Sequence, residues 1–142
     1  MNAFRECDIF SGHVETGKQG IDRNHRKLVV ETSSVKVTTS LNFDVAVDGL
    51  LMKNKRWDYF LETSAAPGKL HALEVHRFNQ RELMGKKEGT LAILRDLCPA
   101  AIAEVSSWNV IAHGNLPRKD LIARFSAETR IRIRRDLPIS QV

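Results

Sequence analysis

The chain has 142 residues, of which 42% are hydrophobic and 27% are charged, and these values are typical of one soluble globular domain. A chain of this length buries enough apolar surface to fold without a metal or disulfides, which excludes a wholly disordered protein. No apolar run approaches the roughly 18–20 residues of a membrane-spanning helix. Residues 1–14 lack the basic start and apolar middle of a signal peptide, so we expect a cytoplasmic protein with no membrane partner.

The formal net charge is +5, and the excess of basic residues lies late in the chain. Residues 1–71 contain ten Lys and Arg against nine Asp and Glu, whereas residues 72–142 contain twelve against eight. A basic protein is compatible with a nucleic acid, a nucleoprotein complex or an acidic protein as its partner. The only cysteines, Cys7 and Cys98, form no CxxC pair, and they predict neither a zinc site nor a disulfide framework.

In chain order, residues 1–20 are predicted to be helical or irregular, and residues 25–135 are predicted to form an α/β core within a single domain, 1–142. The branched residues at 28–30 and 35–39 predict two strands joined at 32–34. Residues 42–52 fit either a strand or a helix, and Asn42 as a cap favours a short helix.

The second half of the core has stronger signals. Two strand-like runs, 57–62 and 70–78, flank the Pro67-Gly68 turn and predict a hairpin. Asn79 followed by Glu82 predicts a capped helix that ends before Pro99, and Gly85 and Gly89 share one of its faces. A bare backbone on that face permits close approach of a strand or ligand.

Three further elements complete the prediction. They are a strand at 107–112, a helix from Pro117 to about residue 126, and a strand at 130–135. The resulting order of strands and helices predicts a mixed α/β fold with a central mixed sheet flanked by helices.

The residues with the clearest chemical potential are Asp58, Glu74 and His76. Asp58 opens the first strand of the predicted hairpin, and Glu74 and His76, two positions apart in the second strand, point to the same face. With Asp58 at that end, two carboxylates and an imidazole converge. Such a set can bind a divalent ion, Mg²⁺ or Mn²⁺, and position a water for attack on a phosphodiester.

This arrangement resembles the restriction-endonuclease-like superfamily, also called the PD-(D/E)XK fold. In that fold an aspartate begins the second strand and Glu-x-Lys lies in the third, followed by a helix and another strand. The resemblance covers residues 58–112 and implies that Asp58 and Glu74 are metal ligands and catalytic residues. The sequence departs from the pattern at His76, which stands where the family has lysine, and it has no proline before Asp58. His76 would then be a base or third ligand, and Lys86 or Lys87 in the following helix could replace the lysine. The Trp-Asp-Tyr and Glu-Val-His segments also resemble small bacterial proteins of unassigned role.

A second feature is the arginine-rich strand near the end of the chain. Arg130, Arg132 and Arg134 alternate with isoleucines and form a cationic face. Together with Lys86 and Lys87 they are candidates for contacts with nucleic-acid phosphates, which give affinity but little sequence specificity. The alternative is a charged edge strand that prevents edge-to-edge pairing.

Three functional hypotheses remain open. The first is a nuclease-like domain that engages nucleic acid or a nucleoprotein and, if it is an enzyme, hydrolyses phosphodiesters with magnesium. The second is a catalytically inactive protein-interaction module, such as a mobile-element or phage-encoded inhibitor of a nucleoprotein complex. The third is an assembly protein whose edge strand pairs in a homodimer.

Overall fold

The computed structural model describes residues 1–142 and contains two β-sheets and six α-helices. The strands are β1 (Val14–Thr16), β2 (Val29–Val30), β3 (Val37–Asn42), β4 (Tyr59–Thr63), β5 (Leu70–Arg77), β6 (Val105–His113), β7 (Ile131–Arg134) and β8 (Leu137–Pro138). The helices are α1 (Asn2–Arg5), α2 (Asp8–Ser11), α3 (Phe43–Asp48), α4 (Gln80–Leu97), α5 (Pro99–Glu104) and α6 (Lys119–Thr129), with short 3-10 turns at Arg26–Leu28 and Ile139–Gln141. The fold is therefore mixed α/β, as predicted.

The main sheet has six strands in the order β1-β3-β4-β5-β6-β7. The pairs from β1 to β5 are antiparallel, whereas β5, β6 and β7 are parallel to one another. Parallel neighbours need long crossover connections, and α4 with α5 connects β5 to β6, while α6 connects β6 to β7. The six-stranded arrangement confirms the predicted central mixed sheet flanked by helices.

The two faces of the sheet bury different side chains because successive residues of a strand alternate between them. On one face Phe60, Ala72 and Trp108 belong to the larger core, to which all six helices contribute buried residues. On the other face Leu61 and Leu73 pack with residues of the irregular segment before β3 and of the chain's last turn. The sheet is thus covered on both sides.

The predicted hairpin and the two helices with predicted Asn caps are confirmed. β4 and β5 pair as an antiparallel hairpin, with Tyr59 opposite Leu73. Asn42 and Asn79 cap α3 and α4 as expected, since each side-chain oxygen accepts a hydrogen bond from the backbone N–H three residues later, at 3.0 Å. These signals are local, and the structure follows them.

Four predictions about elements were wrong in part. Residues 28–30 do not pair with 35–39: β2 instead pairs in parallel with β8, a distant partner that local alternation does not identify. Residues 1–20, predicted to be helical or irregular, do contain α1 and α2, but β1 also joins the sheet, and Phe4 and Phe10 are fully buried. The helix predicted from Pro117 begins at Lys119, and Arg130 lies outside β7.

No helix has both the length and the apolar character that crossing a lipid bilayer would require.

Removing the α4 cap gives a first test of this description. We expect Asn79→Ala to lower the free energy of unfolding by about 1 kcal/mol, because the N–H of Glu82 loses its acceptor at the helix start. Urea denaturation measures the change. Asn54→Ala, at an exposed loop position, is the matched control and should leave the midpoint unchanged; equal midpoints for both variants would contradict the capping role.

Candidate active site

Asp58 lies directly before β4, and hydrogen bonds from two other segments of the chain hold its carbonyl group and its side chain. Its carbonyl oxygen accepts hydrogen bonds from the backbone N–H groups of Phe43 and Asp44, at 2.9 and 3.2 Å. Its carboxylate Oδ2 accepts from the N–H of Val75 in β5 at 3.1 Å. Burial raises the pKa of Asp58 above its ordinary value, and the Val75 N–H and the nearby Lys86 act in the opposite direction. The aspartate is therefore fixed in orientation beside β5.

Glu74 is the most deeply buried carboxylate of the site, with a relative exposure of 1%. Lys86 of α4 donates a hydrogen bond from Nζ to Glu74 Oε1 at 2.5 Å, whereas Oε2 has no hydrogen-bond partner. Burial and the neighbouring Asp58 raise the pKa of Glu74 to about 8, although Lys86 opposes that shift. Glu74 is therefore mostly protonated at neutral pH, and ionising both carboxylates together calls for more positive charge than Lys86 alone supplies.

A close crossing of backbone and helix places Asp58 at this position. The loop before Asp58 passes over α4 at Gly89, where a Cβ atom would lie 1.8 Å from the carbonyl oxygen of Lys55. At the next residue of α4, the Thr90 hydroxyl accepts a hydrogen bond from the N–H of Trp57 at 2.7 Å. The sequence prediction of close backbone approach is confirmed at Gly89 but not at Gly85, where a Cβ would meet nothing within 4 Å.

His76 shares a strand face with Glu74, as predicted, but its polar partners lie elsewhere. Its Nδ1 is 2.6 Å from the carbonyl oxygen of Arg77, and its Nε2 is 3.8 Å from a carboxylate oxygen of Glu82. The structure therefore brings together Asp58, Glu74 and Lys86, while the contacts of His76 are at the end of β5 and the first turn of α4.

The two lysines of α4 that were candidates for phosphate contacts point to different surroundings. Lys86 pairs with Glu74 and is 19% exposed along its side chain. Lys87 donates to the carbonyl oxygen of Thr129 at 2.8 Å, and its ammonium lies 5.2 Å from the centre of the Trp108 ring. Burial and Arg130 lower the pKa of Lys87. Lys86 alone belongs to the carboxylate site.

Two arginines of the cationic face form hydrogen bonds within the chain. β7 is an edge strand of the main sheet, and Arg132 and Arg134 each donate from Nη1 to Gln141, at 3.0 Å. Arg130 follows the last residue of α6 with a left-handed φ of 61°. None of these three arginines has a carboxylate within ion-pair distance.

The two aspartates of α3, Asp44 and Asp48, bind Arg56 and do not join Asp58 and Glu74. The Arg56 guanidinium lies 2.8 Å from Asp44 and 3.3 Å from Asp48. Beside the site, a groove of about 630 Å³ runs between the loop before Asp58 and the first turns of α4. Its lining residues are mostly polar: Lys55, Asn79, Arg81, Glu82, Met84, Gly85 and Glu88.

A buried polar cluster that includes His71 lies on the opposite face of the sheet, and it was not predicted from the sequence. His71 Nδ1 and Asn109 Nδ2 both lie 2.8 Å from the Ser107 hydroxyl oxygen. One signal was present in the sequence, because each of these three polar residues lies next to an apolar residue within its strand. Their proximity depends on the parallel register that sets His71 opposite Ser107.

The donor set at Asp58 and Glu74 fits a divalent cation of the magnesium type. Both groups offer hard carboxylate oxygens, and Glu74 Oε2 is buried with no partner. The chain contains no cluster of three or more His, Cys, Asp or Glu residues that could hold a metal. Mg²⁺ commonly takes only one or two protein carboxylates and fills its other positions with water and substrate phosphate, so two carboxylates suffice.

Comparisons with protein-family models, with curated proteins and with solved structures found no match.

Proposed function

We propose that this chain is a metal-dependent phosphodiesterase acting on nucleic acid, with its reaction centre at Asp58, Glu74 and Lys86. The observation that carries the proposal is the buried Glu74, which lies beside a second carboxylate, is paired with only one cation and has one unpartnered oxygen. An isolated buried carboxylate is costly. Retaining two of them side by side is typical of a site built to receive positive charge.

The strand order supports the resemblance to the restriction-endonuclease-like superfamily. In that comparison β3, β4 and β5 correspond to the first three strands, with Asp58 at the start of the second and Glu74 within the third. α4 and β6 then supply the helix and the following strand. The ammonium of Lys86 on α4 reaches the Glu74 carboxylate. Lys86 can therefore replace the lysine that the family has at the position of His76.

The roles of the side chains follow from their contacts. Asp58 is oriented by the Val75 N–H, and its carboxylate and that of Glu74 would hold Mg²⁺ or Mn²⁺. A bound divalent ion polarises a phosphoryl oxygen and lowers the pKa of a coordinated water. Lys86 keeps Glu74 in place and, as the more exposed member of that pair, stabilises developing negative charge at the solvent side.

The basic excess of residues 72–142 is consistent with a polyanionic substrate. Contacts with phosphates contribute affinity for any sequence and weaken with salt. The proposal therefore specifies nucleic acid as the substrate class.

The first experiment compares cleavage of labelled single- and double-stranded oligonucleotides by the wild type and by Lys86→Met, with EDTA, Mg²⁺ or Mn²⁺. We expect metal-dependent cleavage by the wild type and a loss of about 10²-fold or more in Lys86→Met, because a positioned ammonium is removed from the reaction centre. Gel analysis of the products measures the rates, and circular dichroism checks folding.

Lys69→Met is the matched control, since Lys69 is exposed in the turn between β4 and β5. This variant should cleave oligonucleotides at the wild-type rate. A folded wild type that neither binds nor cleaves any oligonucleotide would contradict the proposal. That outcome would favour the inactive interaction module, and the search would turn to acidic protein partners.

A further inference from the structure

A second polar groove lies at the far edge of the main sheet, away from Asp58 and Glu74. It has a volume of about 540 Å³ and is lined by Ser106, Ser107, Ser126, Ala127, Arg130 and Arg132. Five of these six side chains can donate hydrogen bonds, and two carry a full positive charge. The lining contains no carboxylate, so the groove is built from the donors that bind oxyanions.

The positive charge of this groove is not compensated within the chain. Neither Arg130 nor Arg132 has an acidic partner within ion-pair distance. Arg132 uses one N–H on the carbonyl oxygen of Gln141, which leaves most of its donors free. Burial lowers the pKa of the nearby His71 to about 4, and the positive charge of Arg132 contributes to that shift.

The floor of the groove is a preorganised hydroxyl. Ser107 is 7% exposed, and its oxygen is held by Asn109 Nδ2 and His71 Nδ1. In the tautomer with a proton on Nδ1, both neighbours donate to the two lone pairs of Ser107, which leaves its own O–H to donate into the groove. A buried network of this kind fixes the direction of that donor.

The position of Arg130 is a further, independent observation. Its φ of 61° lies in the left-handed region, where glycine or asparagine is the usual residue after a helix. An arginine there is tolerated at a conformational cost, and its guanidinium lines the groove with no partner from the chain. Backbone outliers of this type are found where a side chain is held for function.

We propose that Ser107, Ser126, Arg130 and Arg132 form a binding site for a phosphate group, separate from the carboxylate site. Ser107 and Arg132 lie on the sheet face opposite to that of Glu74. His71, which pairs with Ser107 across β5 and β6, is three residues from Glu74 along β5, a distance of about 10 Å. The phosphate is either carried by a nucleic acid or free in solution. The site requires neither the metal nor the reaction proposed above.

The test uses the full chain and isothermal titration with sodium phosphate, with sodium chloride at equal ionic strength as the reference. In parallel, fluorescence polarisation compares one oligonucleotide with a 5′-phosphate and the same oligonucleotide with a 5′-hydroxyl, both in EDTA. The variants are Arg130→Gly and Arg95→Gln. Glycine at 130 accepts the left-handed backbone without strain, so this variant keeps the fold while it removes the guanidinium.

We expect saturable phosphate binding by the wild type and a loss of about tenfold or more in Arg130→Gly, because a charge-assisted donor is lost. Arg95→Gln removes one charge from an exposed position of α4 and should change the affinity little. Tighter binding of the 5′-phosphorylated oligonucleotide assigns the phosphate to a nucleic acid end, whereas binding of inorganic phosphate without that preference assigns it to free phosphate; either result supports the site. Equal losses in the two variants, or no saturable binding, would overturn the proposal.

Because the titrations contain no metal, they are independent of the proposed hydrolysis. Glu74→Gln should bind phosphate at this groove like the wild type even if it cleaves nothing. A failure of cleavage and a failure of phosphate binding are therefore distinguishable.

Discussion

We expect Glu74→Gln to remove the proposed metal-dependent cleavage, with a loss of about 10²-fold or more, and to leave the protein folded. Glutamine keeps the shape of the side chain but lacks the charge that a divalent ion needs, and even changes beyond the direct ligands cost 10–100-fold in metal affinity or activity. The amide also accepts the hydrogen bond from Lys86. The expected result is thus a loss of function without a loss of packing, measured by oligonucleotide cleavage and circular dichroism.

The same substitution should alter how stability depends on pH. The pKa of Glu74 is about 8 in the folded protein, against an ordinary glutamate pKa of 4.5 in the unfolded chain, so between these values the folded state binds more protons than the unfolded state. The free energy of unfolding therefore falls as the pH rises, by at most about 1.4 kcal/mol per pH unit for this group. Glu74→Gln should remove that slope.

The useful window is pH 6.5 to 8. Below it, His71 contributes with the opposite sign, because its pKa of about 4 keeps it neutral when folded while the unfolded residue takes up a proton below about 6.5. Urea denaturation at several pH values in this window measures the slope. Glu6→Gln, at an exposed position, is the matched control and should retain the wild-type slope; a slope in Glu74→Gln equal to that of the wild type would contradict the assignment.

The metal makes a related contribution to this measurement. In the proposed site Mg²⁺ would bind the ionised carboxylate, so its binding would release a proton wherever Glu74 is protonated in the free protein. Added Mg²⁺ should consequently stabilise the wild type more at pH 8 than at pH 6.5, and should stabilise Glu74→Gln little at either pH. This readout does not depend on whether a suitable substrate has been found.

The sequence predicted those parts of the fold that are determined by neighbouring residues. Pro67-Gly68 between two apolar runs indicated the β4–β5 hairpin, and Asn79 indicated the start of α4, because turns and caps are set by local chemistry. The pairing of β2 with β8 could not be predicted in this way. Val29 meets Leu137 across more than one hundred residues, and no local pattern encodes such a partner.

The sequence likewise predicted only those features of the candidate site that local patterns determine. Strand alternation correctly placed Glu74 and His76 on one face, but it could not show that His76 turns to Glu82 at the strand end. Lys86 was one of two candidates for the missing lysine, and only the angle at which α4 crosses the sheet separates it from Lys87. The groove at Arg130 needed both the parallel register of β6 with β7 and the left-handed turn after α6.

The crossing at Gly89 supports the largest expected effect on folding. Alanine at this position would place its Cβ 1.8 Å from the Lys55 carbonyl oxygen and 3.0 Å from the carbonyl carbon, and both atoms belong to backbone that cannot rotate away. We expect Gly89→Ala to lower the free energy of unfolding by about 1–3 kcal/mol, since the cost of overpacking exceeds the gain in helix propensity. Urea denaturation measures this change.

Gly85→Ala separates the effect of the steric contact with Lys55 from the effect of helix propensity. Gly85 lies one turn earlier on the same face of α4, where a Cβ meets nothing within 4 Å, so alanine there should raise the free energy of unfolding by about 0.5–1 kcal/mol. The two substitutions are chemically identical and should have opposite signs. If Gly89→Ala stabilised the protein as Gly85→Ala does, the loop could not cross α4 at this point. Asp58, three residues after Lys55, would then lose the support that holds it beside Glu74.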